Sequence, residues 1–172
     1  MSRSAFVVFG IIAIGVLGAC ATSNPVGSTS SSSPASPTST VRAQVIRVVD
    51  GDTIHVLLDG SDVTIRLIGI DTPEVEGSFT ERECFGTNAS GYTHAALDGQ
   101  RVDLEFDVER LDRYERTLAY VWLDGELFNE RIVRDGYAVA ATFPPNVKYV
   151  GDFLAGEREA RNAGRGLWSA CR

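Results

Sequence analysis

The sequence predicts an α+β domain in which a small closed β-barrel carries helices inserted late. Three observations lead there. Apolar, β-branched runs of seven or eight residues crowd residues 43–70 and are separated by Asp-Gly turns. Two more strand-like runs follow one weak helical stretch. The segments with clear helical spacing come last. Five strands with late helices fit a barrel-based α+β domain.

The first 40 residues stand apart from that domain. Residues 5–19, "AFVVFGIIAIGVLGA", are apolar or small throughout, with Arg3 just before them. A short positive start and an apolar core of this length predict a secretory signal peptide over 1–19. It is short for a spanning helix, which takes roughly 20 apolar residues. The stretch closes on "LGAC", which resembles a bacterial lipobox and marks Cys20 as the residue to be lipidated. Residues 20–40 are rich in Ser, Thr and Pro. They hold too little apolar surface to offset ordering entropy and predict a disordered linker. A coil of that length reaches on the order of 25 Å. The expectation is export, with a folded domain at 41–172 held on the extracytoplasmic face by a lipid anchor.

Within the domain, "AQVIRVVD" (43–50) and "TIHVLLD" (53–59) predict two strands joined by an Asp-Gly turn. "DGSD" (59–62) predicts a second turn and "VTIRLIGI" (63–70) a third strand. Residues 75–87 lack periodicity and predict a loop. A weak helix follows at 88–97, then strands at 100–108 and 117–124. Leu127, Ile132 and Val133 take helical offsets within 126–136, and Gly136 supplies the stop. "PPN" (144–146) breaks a short extended run, and 149–168 predicts a charged last helix.

Charge and cysteine content narrow the chemistry. The chain has 23 acidic and 16 basic residues, a net charge of −7. Such a surface does not coat a polyanion over its whole area, so any contact with nucleic acid is confined to a local patch or a bound cation. Cys84 and Cys171 form an even pair in a chain read as exported, which predicts a disulfide. No CxxC is present and neither His55 nor His94 lies near a cysteine in sequence, which speaks against zinc. Both histidines read as structural or surface residues.

Three stretches combine strand-like runs with unusual chemistry: "DGDT" (50–53), "RLIGIDTPE" (66–74) and "LDRYER" (111–116). Pairing of consecutive strands brings Asp52 towards Asp71. Two adjacent carboxylates cannot both ionise cheaply, so one is protonated or a cation lies between them. An oxygen-only donor set selects a hard cation, and calcium suits an exported protein. Thr72 can add its carbonyl, since Pro73 holds the chain extended there. Glu74, past the proline, can face the site as a base without being a direct ligand. Arg66 shares a face with Ile68 and Ile70 if the strand is regular. Together with Arg116 it calls for an anionic substrate, and a phosphodiester matches. Asp50 reads as a turn former.

These motifs, with "FGTNAS", "RYERTLAYVW", "LFNERIVRDGYA" and "GLWS", resemble the staphylococcal nuclease (thermonuclease) family across residues 41–169, in collinear order. The resemblance implies an OB-fold barrel of five strands with three helices. It implies calcium-dependent cleavage of DNA and RNA that leaves 3′-phosphates. Position by position it implies Asp52, Asp71 and Thr72 for the metal, Glu74 as general base and Arg66 and Arg116 as phosphate-binding groups. It also implies that Arg113 and Tyr114 contact a terminal phosphate. Three departures stand out. Glu115 occupies a place where the family has glycine. The tyrosine that stacks on a base falls at Ala141, with Phe143 two residues on. Asn88 replaces a glutamate. The competing reading is an OB-fold module that binds nucleic acid or protein without cutting. It would be expected to have lost one of Asp52, Arg66, Asp71, Glu74 or Arg116, and all five are present. No protein partner is implied, and a monomer is expected.

Overall fold

The computed structural model describes residues 39–75 and 83–171. The predicted signal peptide, Cys20 and almost all of the predicted linker lie outside the described residues. Among the described residues there are eight strands: β1 (Val41–Val48), β2 (Thr53–Leu58), β3 (Ser61–Leu67), β4 (Ile70–Asp71), β5 (Arg101–Glu105), β6 (Thr117–Leu123), β7 (Glu126–Leu127) and β8 (Val139–Ala140). Five of them make the barrel. β1 pairs antiparallel with β2 and with β5, β2 with β3, and β5 with β6. Parallel pairing of β3 with β6 closes the ring, Arg66 lying opposite Leu118. This is the predicted OB-type closed barrel.

Turn chemistry sets the register. Asp59 and Gly60 both take positive φ, 49° and 82°, between paired residues Leu58 and Ser61. Asp124 and Gly125 repeat this between β6 and β7, with φ of 51° and 83°. Such two-residue turns match the right-handed strand twist. The alternation that follows points Val45, Ile54, Val56, Ile65, Leu67, Leu104 and Val121 into one core.

The helices are α1 (Gly86–Leu97), α2 (Phe128–Arg134), α3 (Val150–Ala163) and a single turn, α4 (Leu167–Ala170). α1 and α2 cover the barrel with Leu97, Phe128, Ile132 and Val133. A second apolar cluster joins Ile68, Tyr120, Trp122 and Leu127 to Phe153 of α3.

Two sequence expectations need correction. Residues 63–70 are not one strand. The run breaks at Ile68–Gly69, where Gly69 has φ 79° and a Cβ would fall 2.3 Å from the Phe153 ring. Arg66 therefore does not share a regular strand face with Ile68 and Ile70. The last helix is also not continuous. Gly164 ends α3 in a left-handed conformation and α4 restarts at Leu167.

Candidate active site

Register places the first acid. Thr53 pairs with Arg66, and the Leu67 amide donates to the Asp52 carbonyl at 2.9 Å. Asp52 is thus fixed at the mouth of β2, beside the end of β3. It is only 5% exposed, yet its carboxylate is well satisfied. Oδ2 accepts from the Thr72 amide and the Thr72 hydroxyl, both at 3.0 Å, and pairs with Arg66 Nη2 at 3.1 Å. Oδ1 accepts from the Thr53 hydroxyl at 3.1 Å. Asp71, at the end of β4, binds the same Arg66 Nη2 at 2.9 Å.

The two acids therefore converge on one point, and the cation between them here is a guanidinium. Arg66 is held from its other side by the carbonyls of Leu67 and Ile70, each 3.0 Å from Nη1. Those carbonyls flank the Ile68–Gly69 break. The Asn129 side chain pins that break by donating to the Ile68 carbonyl and accepting from the Val121 amide. Strand interruption and arginine placement are one feature.

The second arginine comes from the loop before β6. Asp112 organises it, accepting from the Tyr114 amide, the Arg116 amide and Arg116 Nε at 2.9, 2.9 and 2.7 Å. Among the described residues the Arg116 Nη groups make no hydrogen bond, so the end of the fork is free for a ligand. Arg113 and Arg116 lie over the Tyr114 ring at 4.6 and 5.5 Å. Glu115 keeps the left-handed backbone that glycine would favour, φ 63°, and its side chain is exposed. Asn146 ties this loop to the "PPN" turn by exchanging two 2.8 Å bonds with the Glu109 backbone.

Arg66, Asp71, Arg113, Tyr114 and Arg116 all line one cleft of about 610 Å³. Phe143 also lines it and is 73% exposed. Ala141 instead spends its amide on the Gly69 carbonyl at 2.9 Å, so the aromatic group at the cleft is Phe143. Asn88 is exposed on α1. His55 sits in a surface network with Asp62 and Arg47, away from these groups.

Electrostatics mark the acid cluster as short of positive charge. Burial, then Asp52, push the Asp71 carboxyl up, against the opposing pull of Arg66. Burial, then Asp52, Asp71 and Glu83, push Glu74 up. Burial, then Asp52, lift Asp50 to about 6. Its Oδ1 accepts from the Asp52 amide at 3.0 Å. This donor chemistry fits a hard cation: oxygen ligands only, and surplus negative charge. Among the described residues no three His, Cys, Asp or Glu side chains form a closed metal cluster. An ion here would rest on the Asp52–Asp71 pair and keep much of its water.

Cys84 and Cys171 are joined, with Cα atoms 5.8 Å apart.

A family model described as staphylococcal nuclease homologue matches residues 64–170. The chain belongs to that family. The match spans Arg66, Asp71, Thr72, Glu74, Arg113, Tyr114 and Arg116, with Asp52 ahead of it. Among relatives, the chain is 44% identical to a thermonuclease of Staphylococcus hyicus over 126 residues, 73% of this chain and 75% of that protein. It is 45% identical to a thermonuclease of Staphylococcus intermedius over 124 residues, 72% and 74% of the two chains. It is 36% identical to endonuclease YncB of Bacillus subtilis over 131 residues, 75% of this chain and 62% of that one. Asn129 lies in the "LFNERIVRDGYA" motif, while Asp112, Asn146 and Glu83 shape the staphylococcal nuclease-type site and had no role assigned from sequence. Only Asp112 left a signal there, an acid four residues before an arginine.

Proposed function

We propose that this chain is a calcium-dependent nuclease that hydrolyses phosphodiester bonds in DNA and RNA, leaving 3′-phosphates, and that it works tethered outside the cell membrane. The observation that carries the nuclease reading is the shared cleft. Two arginines from different elements open onto it, and one of them bridges a converging pair of acids.

The phosphate meets the free end of the Arg116 fork, which Asp112 holds in orientation through Nε. The free Nη pair of Arg116 matches paired phosphate oxygens, and Arg66, held by Asp52, Asp71 and two carbonyls, adds a second positive charge beside them. Both stabilise charge that grows on those oxygens as the bond breaks. Calcium held by Asp52 and Asp71 would supply further positive charge there, which also offsets the mutual repulsion of the acids. Glu74 takes the proton of an attacking water. A raised pKa makes its carboxylate a stronger proton acceptor. The bond from phosphorus to the 5′-oxygen breaks, and the leaving oxygen picks up a proton to give a 5′-hydroxyl. Arg113 and Tyr114, stacked on each other, hold a terminal phosphate at the far wall. Thr72 contributes by fixing Asp52 through its amide and hydroxyl.

The test is digestion of denatured DNA and of RNA by soluble residues 41–172. Calcium should support cutting and EDTA should abolish it. Arg116→Gly should lower kcat on the order of 100-fold or more, the usual cost of losing a transition-state donor. Binding without cutting in calcium would replace the enzyme with a binding module. Indifference to EDTA would remove the metal. The tether has its own assay: radioactive palmitate should label the full chain and not Cys20→Ala, and label on the variant would defeat the anchor.

A further inference from the structure

Glu74 lies on neither a strand nor a helix. It stands three residues beyond Asp71, and two backbone hydrogen bonds hold it, both with Glu83. The Glu83 amide donates to the Glu74 carbonyl at 3.0 Å, and the Glu74 amide donates to Glu83 Oε2 at 3.1 Å. Gly86, the first residue of α1, closes on the same carbonyl, where a Cβ would fall 2.1 Å from the oxygen. The base is therefore placed by residues 83–86.

That stretch has little local support. α1 begins without a side-chain cap, and Phe85 before it takes φ 73°. A helix start with uncapped amides frays readily. What fixes it is distant in sequence. The Phe85 ring packs on Tyr137 at 5.3 Å, and Cys84 is bonded to Cys171, 87 residues away. Cys171 is itself anchored, because it follows α4 and the Leu167 amide donates to the Gly136 carbonyl at 2.9 Å. A line of support thus runs from Gly136, just past α2, by a hydrogen bond to α4, along the chain to Cys171 and through the disulfide to the residue beside Glu83. Cys84 is exposed and open to a small reductant.

We propose that the Cys84–Cys171 disulfide is a clamp on Glu74, acting through Glu83 as a positioning residue, and that turnover depends on this pair being oxidised. The proposal rests on the nuclease reading. Dithiothreitol supplies two electrons and two protons and leaves as its cyclic disulfide, while Cys84 and Cys171 become thiols. The released 83–86 stretch then holds Glu74 loosely. A displacement of about 1 Å can cost on the order of 100-fold in rate. Arg66 and Arg116 sit on β3 and the β6 loop, off this line, so substrate binding is spared.

Steady-state kinetics on a single-stranded oligonucleotide with calcium test this, with wild type oxidised or reduced and with Cys84→Ser/Cys171→Ser. Reduced protein that keeps its circular dichroism should show kcat lower by about 10-fold or more, with KM within about two-fold. The double variant should match it and ignore dithiothreitol. Hydrogen exchange at the Glu74 amide should quicken on reduction. Should the double variant or the reduced protein fail to fold, Glu83→Ala with the disulfide intact carries the test. Its kcat should fall at constant KM, and Glu83→Gln, which keeps an acceptor oxygen, should restore most of it. Folded, reduced enzyme with undiminished kcat overturns the clamp, as does Glu83→Ala with wild-type kcat. Oxidised wild type that cuts nothing overturns the nuclease reading, and the clamp with it.

Discussion

Asp112 carries no role in the chemistry itself, yet three donors converge on its carboxylate and two of them belong to Arg116. Without it the loop has no reason to present that guanidinium to the cleft. Asp112→Ala should leave the barrel folded and reduce kcat/KM roughly 10- to 100-fold, as a phosphate donor loses its orientation. Circular dichroism with kinetics checks this, and unchanged kcat/KM would return Arg116 to a self-supporting position. The same carboxyl sets an acid limit. Burial would raise its pKa, but bonds from Arg116 and Tyr114 outweigh burial and hold it low. A depressed folded-state pKa contributes stability above the unfolded value, near 4, and that stability is lost as pH falls through the folded value. The loop should therefore loosen in acid before the apolar barrel does. Glu115 has the opposite character. Its left-handed backbone costs roughly 1–2 kcal/mol for a residue with a Cβ. Among the described residues its exposed side chain makes no hydrogen bond, but its amide donates to the Asp112 carbonyl at 3.0 Å and the Asp112 amide to the Arg116 carbonyl at 3.0 Å, so the strained residue closes the turn that positions Arg116.

At the level of strands and helices, legibility followed the strength of local rules. The Asp-Gly pairs at 59–60 and 124–125 could be read directly, because a two-residue turn with two positive φ values admits few other residues. Hairpin register sets Asp52 beside Leu67 at the end of β3, but the strand break after it brings Asp71 back to the same point. The break at Ile68–Gly69 could not be read. Nothing in "RLIGID" separates a glycine inside a strand from a glycine that ends one, and the deciding contact, Phe153, is 84 residues away along the chain. That break supplies the carbonyls that hold Arg66, so the most functional irregularity was the least visible. Glu83 was hidden likewise in a stretch without periodicity, its partner Glu74 being nine residues back. The final helix divided at Gly164 because a C-terminal glycine outweighs the charged periodicity around it.

For the molecule as a whole, the decisive quantity is a net charge of −7 on a protein proposed to bind a polyanion. Long-range attraction cannot gather substrate, so affinity has to come from the few cations inside the cleft. Three line it: Arg66, Arg113 and Arg116. Each phosphate neutralised on a single strand releases counterions and adds about −0.7 to the slope of log K against log salt. Because Arg66 is engaged by Asp52 and Asp71, the two contacts from Arg113 and Arg116 give a slope of about −1.4, or roughly 7-fold weaker binding between 50 and 200 mM salt. Fluorescence anisotropy of a labelled single strand on Glu74→Gln, at fixed calcium, measures this without cleavage. Arg113→Ala should flatten the slope by about 0.7, while Arg42→Ala, whose guanidinium is spent on Asp103 across β1 and β5, should not change it. A slope steeper than about −4 would mean that cations outside the cleft contact the strand, and that the acidic surface is not the barrier its charge implies.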